Sequence, residues 1–128
     1  MQWDETPLIQ AARWGHESIV NILISAEADI TCKDDEGNNA LHRAAVGGHD
    51  TIVKTLVDRG LDVNTRGWNG RTPLMQAAVE GRESTVNILI SAGADITFKD
   101  KDGNNALHLA AGGYNHTIVK TLVDRGLD

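Results

Sequence analysis

The sequence is short of several residue types, and each shortage excludes a class of protein. One cysteine, Cys32, occurs in 128 residues, so no internal disulfide can form and a disulfide-stabilised secreted domain is excluded. No uninterrupted apolar run is longer than three residues, whereas a membrane-spanning helix needs about 20. The N-terminal residues lack the basic and apolar segments of a secretory signal. We therefore expect an intracellular, cytoplasmic protein with no membrane partner.

Basic residues are also scarce, because 12 Lys and Arg stand against 18 Asp and Glu, for a net charge of −6. A protein that binds nucleic acid normally clusters Lys and Arg, so we expect no nucleic-acid partner. An apolar fraction of 41% excludes a disordered chain. Aromatic residues make up only 4%, and yet most of them are tryptophans: Trp3, Trp14 and Trp68. The positions of these three residues therefore bear on function.

The sequence repeats itself with a period of 33 residues. The segment TPLIQAA at residues 6–12 returns as NALHRAA at 39–45, TPLMQAA at 72–78 and NALHLAA at 105–111. A period of 66 is stronger, since residues 1–62 and 67–128 are identical at 43 of 62 positions. This pattern predicts an array of stacked units that share one core, built from a pair of units that was duplicated.

Each unit has the pattern of a helix, a tight turn, a second helix and a polar connection. Thr6 and Thr72 are suited to cap the first helix, and the proline that follows fits its first turn. Gly15 and its equivalents are suited to end that helix in a left-handed turn. Apolar residues at helical spacing, such as Val53 and Leu56, mark the second helix. The sequence thus predicts paired short helices with a core of leucine, isoleucine, valine and alanine.

These motifs resemble ankyrin repeats. Thr-Pro-Leu, the paired alanines, Gly-His in the turn and the GLDVN segment at residues 60–64 stand in the 33-residue pattern of this family. The resemblance implies an all-α ankyrin-repeat solenoid of helix-turn-helix units joined by hairpin-like loops. It covers residues 1–128 as a single domain, with repeats at about 1–33, 34–66, 67–99 and 100–128.

Several positions depart from the family's pattern. The Thr-Pro-Leu-His motif is divided, so that His42 and His108 stand only in the second and fourth repeats, where the resemblance implies that they brace neighbouring loops. Tyr114 replaces the glycine of the last turn. Because a left-handed conformation is costly for tyrosine, we expect Gly113 or Asn115 to relocate that turn.

Residues with catalytic or metal-binding chemistry are isolated. The five histidines include no pair four residues apart on one helix, and Cys32 stands alone, so we expect no metal site. Lys33 beside Cys32 would lower the pKa of the thiol somewhat. No nucleophile with an evident His and acid partner occurs, and no phosphate-binding loop. We therefore expect no cofactor and no enzymatic activity.

In ankyrin-like arrays, partners generally bind the hairpin tips and the exposed ends of the first helices. Carried over to this sequence, the resemblance implies a concave protein-binding surface at those positions. Its predicted residues are Trp3, Glu5, Arg13, Trp14, Asp35, Glu36, Asn38, Val46, Trp68, Asn69, Arg71, Val79, Glu80, Lys101, Asp102 and Asn104. Tryptophan is enriched at binding hot spots. We expect a protein partner with an apolar anchor and a basic patch that faces the acidic tip of the second repeat.

Other functions stay open at this point. The C-terminal end of the array carries no polar cap, so the chain is alternatively a self-associating segment or a fragment of a longer array. A monomer is expected, with an end-to-end dimer as the alternative. Trp3 and Trp14 either bind the partner or cover the open N-terminal end of the core. A catalytic domain outside these residues would make this a regulatory segment, and the 66-residue duplication also fits an engineered array.

Overall fold

The computed structural model describes residues 6–127, which form a stack of helix pairs. The first helices of the four repeats are α1 (Pro7–Trp14), α3 (Ala40–Gly47), α5 (Pro73–Glu80) and α7 (Ala106–Gly112). The second helices are α2 (Glu17–Ser25), α4 (Asp50–Asp58), α6 (Glu83–Ser91) and α8 (His116–Asp124). A short 3-10 turn lies at Trp68–Gly70, and no strand occurs among residues 6–127. The predicted all-α fold is confirmed.

Two kinds of cap begin the first helices. The hydroxyls of Thr6 and Thr72 accept a hydrogen bond from the backbone N–H three residues later, and a proline follows each cap. Asn39 and Asn105 form capping boxes in the other two repeats, where a histidine ring accepts a hydrogen bond from the asparagine N–H in return. The alternation of the two sequence motifs therefore appears as an alternation of caps.

The first helices form the centre of the stack. α1 packs on α3, α3 on α5 and α5 on α7, and each also contacts the second helix of its own repeat. Leu8, Leu41 and Leu74, which recur at the repeat period, are at most 2% exposed. Ala44 and Ala45 are fully buried, because their small side chains allow neighbouring helices to approach closely. The core therefore consists mainly of aliphatic residues, as the sequence predicts.

Hairpin turns connect successive repeats, and His42 braces the connection between the second and third repeats. The N–H of Asp34 donates to the Asn38 carbonyl at 2.8 Å, and equivalent bonds close the next two connections. His42 Nε2 lies 3.0 Å from the Thr65 carbonyl and 3.1 Å from the Arg71 carbonyl. The bracing contact inferred for His42 is therefore present.

The residue after each turn links neighbouring first helices. His49 Nε2 lies 3.0 Å from the Arg13 carbonyl, and Arg82 Nε donates to the Val46 carbonyl at 2.9 Å. Asn115 Nδ2 in the last repeat donates to the Ala78 carbonyl at 3.3 Å, one residue before the equivalent position. The bonds of His49 and Arg82 satisfy carbonyls at the C-terminal end of a helix, where no intrahelical donor remains, whereas the Ala78 carbonyl also accepts from the Gly81 N–H. Histidine, arginine and asparagine at this position thus each link their repeat to the preceding first helix.

The last turn differs from the expectation drawn from the sequence. Tyr114 itself adopts the left-handed conformation, with a φ of 61°, whereas Gly113 has a φ of −88°. The prediction that Gly113 or Asn115 relocates the turn is therefore wrong. The repeat geometry keeps the turn in place, because the Asn115 N–H bonds the Ala110 carbonyl as its equivalents do in the other repeats. Tyr114 is 81% exposed, and its ring packs edge-on against His116.

We expect Tyr114→Gly to raise the free energy of unfolding by about 1 kcal/mol. A left-handed tyrosine costs about 1–2 kcal/mol, and the flexibility of glycine in the unfolded chain offsets part of the gain. Tyr114→Asn should stabilise less, since asparagine only tolerates the conformation better than tyrosine does. Denaturant unfolding at low protein concentration measures both variants. If the unfolding midpoints of both variants are equal to or lower than that of the wild type, Tyr114 does not strain this turn.

Candidate protein-binding surface

Trp68 lies in the loop between the second and third repeats, within the turn Trp68–Gly70, and is 47% exposed. Its backbone N–H donates to Asn38 Oδ1 at 3.0 Å. The Arg71 guanidinium lies 5.1 Å from the ring centroid, which is within the range of a cation–π contact. Asn38 therefore restrains the backbone of Trp68 and Arg71 restrains its indole, and such preorganisation lowers the entropy cost of binding a partner.

Two open depressions meet at Trp68. The first has a volume of about 780 Å³, and the predicted residues that line it are Asp35, Glu36, Trp68, Asn69 and Lys101. The second has a volume of about 290 Å³, and the predicted residues that line it are Glu36, Asn38, Val46, Trp68 and Glu80. Trp68 and seven other predicted residues, together half of the predicted binding residues, thus line these two depressions.

The charges around Trp68 change along the stack. Asp35 and Glu36 on the second repeat are exposed, and so is Lys101 on the fourth. Glu80, the last residue of α5, adds an exposed carboxylate to the second depression. An extended partner that crosses Trp68 would therefore meet negative charge at the second repeat and positive charge at the fourth.

Part of the acidic tip is neutralised within the repeat. Asp34 is 2% exposed, and its Oδ2 accepts a hydrogen bond from Arg43 Nη2 at 2.6 Å. Burial alone would raise the pKa of Asp34, but hydrogen bonds from Arg43 and from the N–H of Asn38 outweigh it, and the pKa lies below its ordinary value. Arg43 also donates to Glu36 at 2.6 Å. Asp35 and the exposed part of Glu36 remain to face a partner.

Basic residues at the repeat period tie the loops together, a role that the sequence-based reasoning missed. Lys33 Nζ donates to the Arg66 carbonyl at 3.0 Å, and Arg66 Nη1 donates to the Lys99 carbonyl at 2.7 Å. The Arg66 guanidinium also lies 4.6 Å from the centroid of the Phe98 ring. The recurrence of Lys or Arg at positions 33, 66 and 99 is the sequence pattern that reveals this ladder. These cations therefore contribute to the stack as well as to the surface charge.

Asn38 was expected on the exposed tip, and the structure corrects this, because Asn38 is only 3% exposed. Its side chain holds the loop that carries Trp68. Arg71 is half-buried and pairs with Asp100 at 3.3 Å, beneath the indole. Asn69 Nδ2 donates to Asp102 at 2.9 Å across neighbouring tips. Asn38, Arg71 and Asn69 therefore determine the shape of the surface around Trp68 through their contacts within the protein.

The other predicted residues are more distant from Trp68 or less accessible. Arg13, Val79 and Asn104 are half-buried. Trp14 is 65% exposed and lines a separate depression at the first repeat. Trp3 and Glu5 lie outside the described residues. The structure therefore does not bring Trp14 together with the residues around Trp68.

The thiol of Cys32 behaves differently from the expectation. Burial raises its pKa, and the hydrogen bond and negative charge of Asp29 raise it further. The expectation that Lys33 lowers this pKa is wrong, because the Lys33 ammonium bonds the Arg66 carbonyl. Among residues 6–127, no group of three His, Cys, Asp or Glu side chains is placed to hold a metal ion.

Comparison with known families gives two matches. A family model described as ankyrin repeats, in three copies, matches residues 8–100. A model of the single ankyrin repeat matches residues 102–128. No curated protein matches the sequence. None of the helices in the described part of the chain has the length and apolar character that crossing a membrane requires.

Proposed function

This chain belongs to the ankyrin repeat family, and from that premise we propose that it is a non-catalytic protein-binding module whose partner docks around Trp68. Ankyrin repeats are generally protein–protein interaction modules. The partner would contact the concave surface formed by the hairpin tips and the ends of the first helices. Trp68 would be its anchor.

The observation that carries the proposal is the exposure of a restrained tryptophan. Hot-spot residues are enriched in tryptophan, lie near the centre of an interface and are surrounded by contacts that exclude water. Trp68 would have this position in the proposed complex, because it lines two neighbouring depressions. Asn38 holds the backbone of Trp68 and Arg71 lies against the indole, so little of the side chain's freedom would be lost on binding.

The rim charges indicate the chemistry of the partner. We propose an extended protein segment with an apolar or aromatic side chain over Trp68. A basic residue on one side of it would face Asp35 and Glu36, and an acidic residue on the other would face Lys101. Exposed rim charges chiefly affect the association rate and its salt dependence. Association should therefore become slower as the salt concentration rises.

We propose no reaction for this chain, because its perturbed polar groups have structural partners. Asp34 and Asp100 pair with Arg43 and Arg71, and His42 braces the connection between the second and third repeats. The free Cys32 thiol fits the reducing cytoplasm that we expect for the protein.

Affinity capture with the immobilised chain, run beside the Trp68→Ala variant, tests the proposal. We expect at least one protein to be retained by the wild type and lost from the variant. Titration of that protein should then give a Kd about 30-fold weaker or more for Trp68→Ala, since truncating a hot-spot tryptophan costs about 2 kcal/mol or more.

Ile22→Ala is the matched control, because Ile22 is 66% exposed on α2 and lines neither depression at Trp68. It should capture the same protein with unchanged affinity. Circular dichroism establishes that both variants are folded. Identical capture by Trp68→Ala and the wild type would refute the assignment of Trp68 as the anchor.

A further inference from the structure

The contact between the second and third repeats defines two matching faces. The C-face of the second repeat is the side that the third repeat covers, and it includes Arg43, Ala45, Val46, Asp50 and Val53. The N-face of the third repeat is the side that covers it, and it includes Pro73, Gln76, Glu80, Arg82 and Thr85. Arg82 donates to the Val46 carbonyl, and Thr85 donates to Asp50 Oδ1 at 2.5 Å. Ala45, Val53 and Thr85 are all fully buried.

The 66-residue duplication gives the chain a second copy of each face. The N-face of the first repeat consists of Pro7, Gln10, Trp14, His16 and Ile19. The C-face of the fourth repeat consists of Leu109, Ala111, Gly112, His116 and Val119. Every one of these residues lies within the described part of the chain. The first repeat is thus equivalent to the third, and the fourth to the second.

Within residues 6–127, both second copies are uncovered. Ile19 is 47% exposed, whereas its equivalent Thr85 is fully buried. Ala111 is exposed, whereas its equivalent Ala45 is fully buried. A shallow depression lies on each face: one is lined by all five N-face residues, and the other by residues that include Ala111, His116 and Val119. The two faces are therefore the unmatched halves of an internal contact.

The differences between the internal and the uncovered faces remove charge from both. On the N-face, Glu80 and Arg82 correspond to Trp14 and His16. On the C-face, Asp50 corresponds to His116. A terminal repeat that meets only water normally has a more polar outer face. These faces have become more apolar, which indicates that they are covered by protein.

The differences are also complementary in pairs. The side chains of Thr85 and Asp50 form a hydrogen bond internally, and Ile19 and His116 take their places at the uncovered faces. A change to isoleucine alone would remove one of the two hydroxyl donors to the half-buried Asp50 carboxylate, the other being Ser84, but both partners of this bond have changed.

A second pair of changes concerns size. Glu80 shares one depression with Arg43 and Val46. The equivalents of these three residues are Trp14, Leu109 and Gly112, in the same order. On the N-face the uncovered copy has a larger, apolar residue, Trp14, in place of Glu80. On the C-face it has an apolar residue, Leu109, in place of Arg43 and a smaller one, Gly112, in place of Val46. A tryptophan requires additional space and an apolar neighbour, and the loss of the valine and arginine side chains provides both.

The residues at the uncovered faces can also form the hydrogen bond that joins the internal faces. Arg82 reaches the Val46 carbonyl internally, and the equivalent pair is His16 and the Gly112 carbonyl. Histidine can make this bond, because His49 occupies the same position in the second repeat and its Nε2 lies 3.0 Å from the Arg13 carbonyl.

We propose that the polypeptide of residues 1–128 stacks head to tail, with the N-face of one copy packed on the C-face of another as the third repeat packs on the second. The contact is heterologous, so each added copy leaves one free face at either end of the assembly, and the solenoid can continue. Trp14 is buried in this contact, which separates its role from that of Trp68.

Sedimentation over a wide range of protein concentration tests the stacking. Wild-type chain should show a mass that rises beyond the dimer. Ile19→Glu blocks the N-face and Ala111→Glu blocks the C-face, and each variant alone should remain monomeric. An equimolar mixture retains one good N-face and one good C-face, so it should form a dimer and nothing larger.

Ile22→Glu is the matched control, since it adds the same charge to α2 at a residue outside both faces, and its assembly should equal that of the wild type. Trp68→Ala should also assemble normally. A wild-type chain that stays monomeric at millimolar concentration overturns the proposal and leaves the two faces to further repeats or another protein. A mixture of the blocked variants that remains monomeric overturns the head-to-tail arrangement.

Discussion

Replacement of Leu41 by alanine is expected to lower the free energy of unfolding by about 2–5 kcal/mol, the range for a buried leucine. Leu41 is fully buried in α3, which packs against both α1 and α5. The lost methyl groups would leave a cavity at the centre of the stack, and the neighbouring helices are too closely packed to fill it. Because a repeat array is stabilised by contacts between neighbours, the loss affects two interfaces at once.

Leu107→Ala provides an internal control, since Leu107 is the equivalent of Leu41 and both stand in the segment NALH. Leu107 is only half-buried, because no repeat covers α7 on its outer side in the described chain. Its replacement should cost clearly less than that of Leu41. Urea unfolding of both variants, at a concentration where the chain is monomeric, measures the difference. Equal losses would mean that coverage by the following repeat contributes nothing to the stability of α3.

The fold was predictable because its determinants are local and recur. Thr6 and Asn39 specify two kinds of cap, and the left-handed glycines specify the turns. One repeat would be ambiguous, but the same pattern repeated at a fixed spacing leaves a stacked array as the arrangement that buries the apolar faces. The same repeat spacing also predicts that Trp68 lies outside the core.

Contacts between repeats could not be predicted in the same way, since they depend on which loops face each other. Asn38 looked like a tip residue, but the loop of the next repeat covers it. The ammonium of Lys33 was assigned to its sequence neighbour Cys32, whereas it bonds a carbonyl 33 residues away. The strain at Tyr114 was expected to move the turn, but bonds to the preceding helix hold it. In each case a long-range contact outweighs a local preference.

His42 is expected to make the stability of the protein fall as the pH drops from 6.5 to about 4. Burial lowers the pKa of His42 from 6.5 to about 4 in the folded protein. Its Nδ1 accepts the Asn39 N–H at 3.1 Å, so the single proton lies on Nε2, between two carbonyls. As the pH falls, His42 binds a proton in the unfolded chain before it does so in the folded protein. The contribution of neutral His42 to the free energy of unfolding is therefore present above pH 6.5, and about 3 kcal/mol of it is lost by pH 4.

His42→Gln should abolish most of this dependence, because glutamine can still donate to a loop carbonyl but does not titrate. His108→Gln is the matched control, since His108 has the same capping bonds but is exposed. Asp34 and Asp100 have lowered pKa values, so their contributions begin to be lost only near the ordinary carboxyl pKa, at the acid end of this window, and the upper part of the window reports on His42. Between pH 7 and pH 4, the free energy of unfolding should therefore change little in His42→Gln. In His108→Gln it should fall as steeply as in the wild type. An equally steep loss in His42→Gln would assign the acid sensitivity to another group.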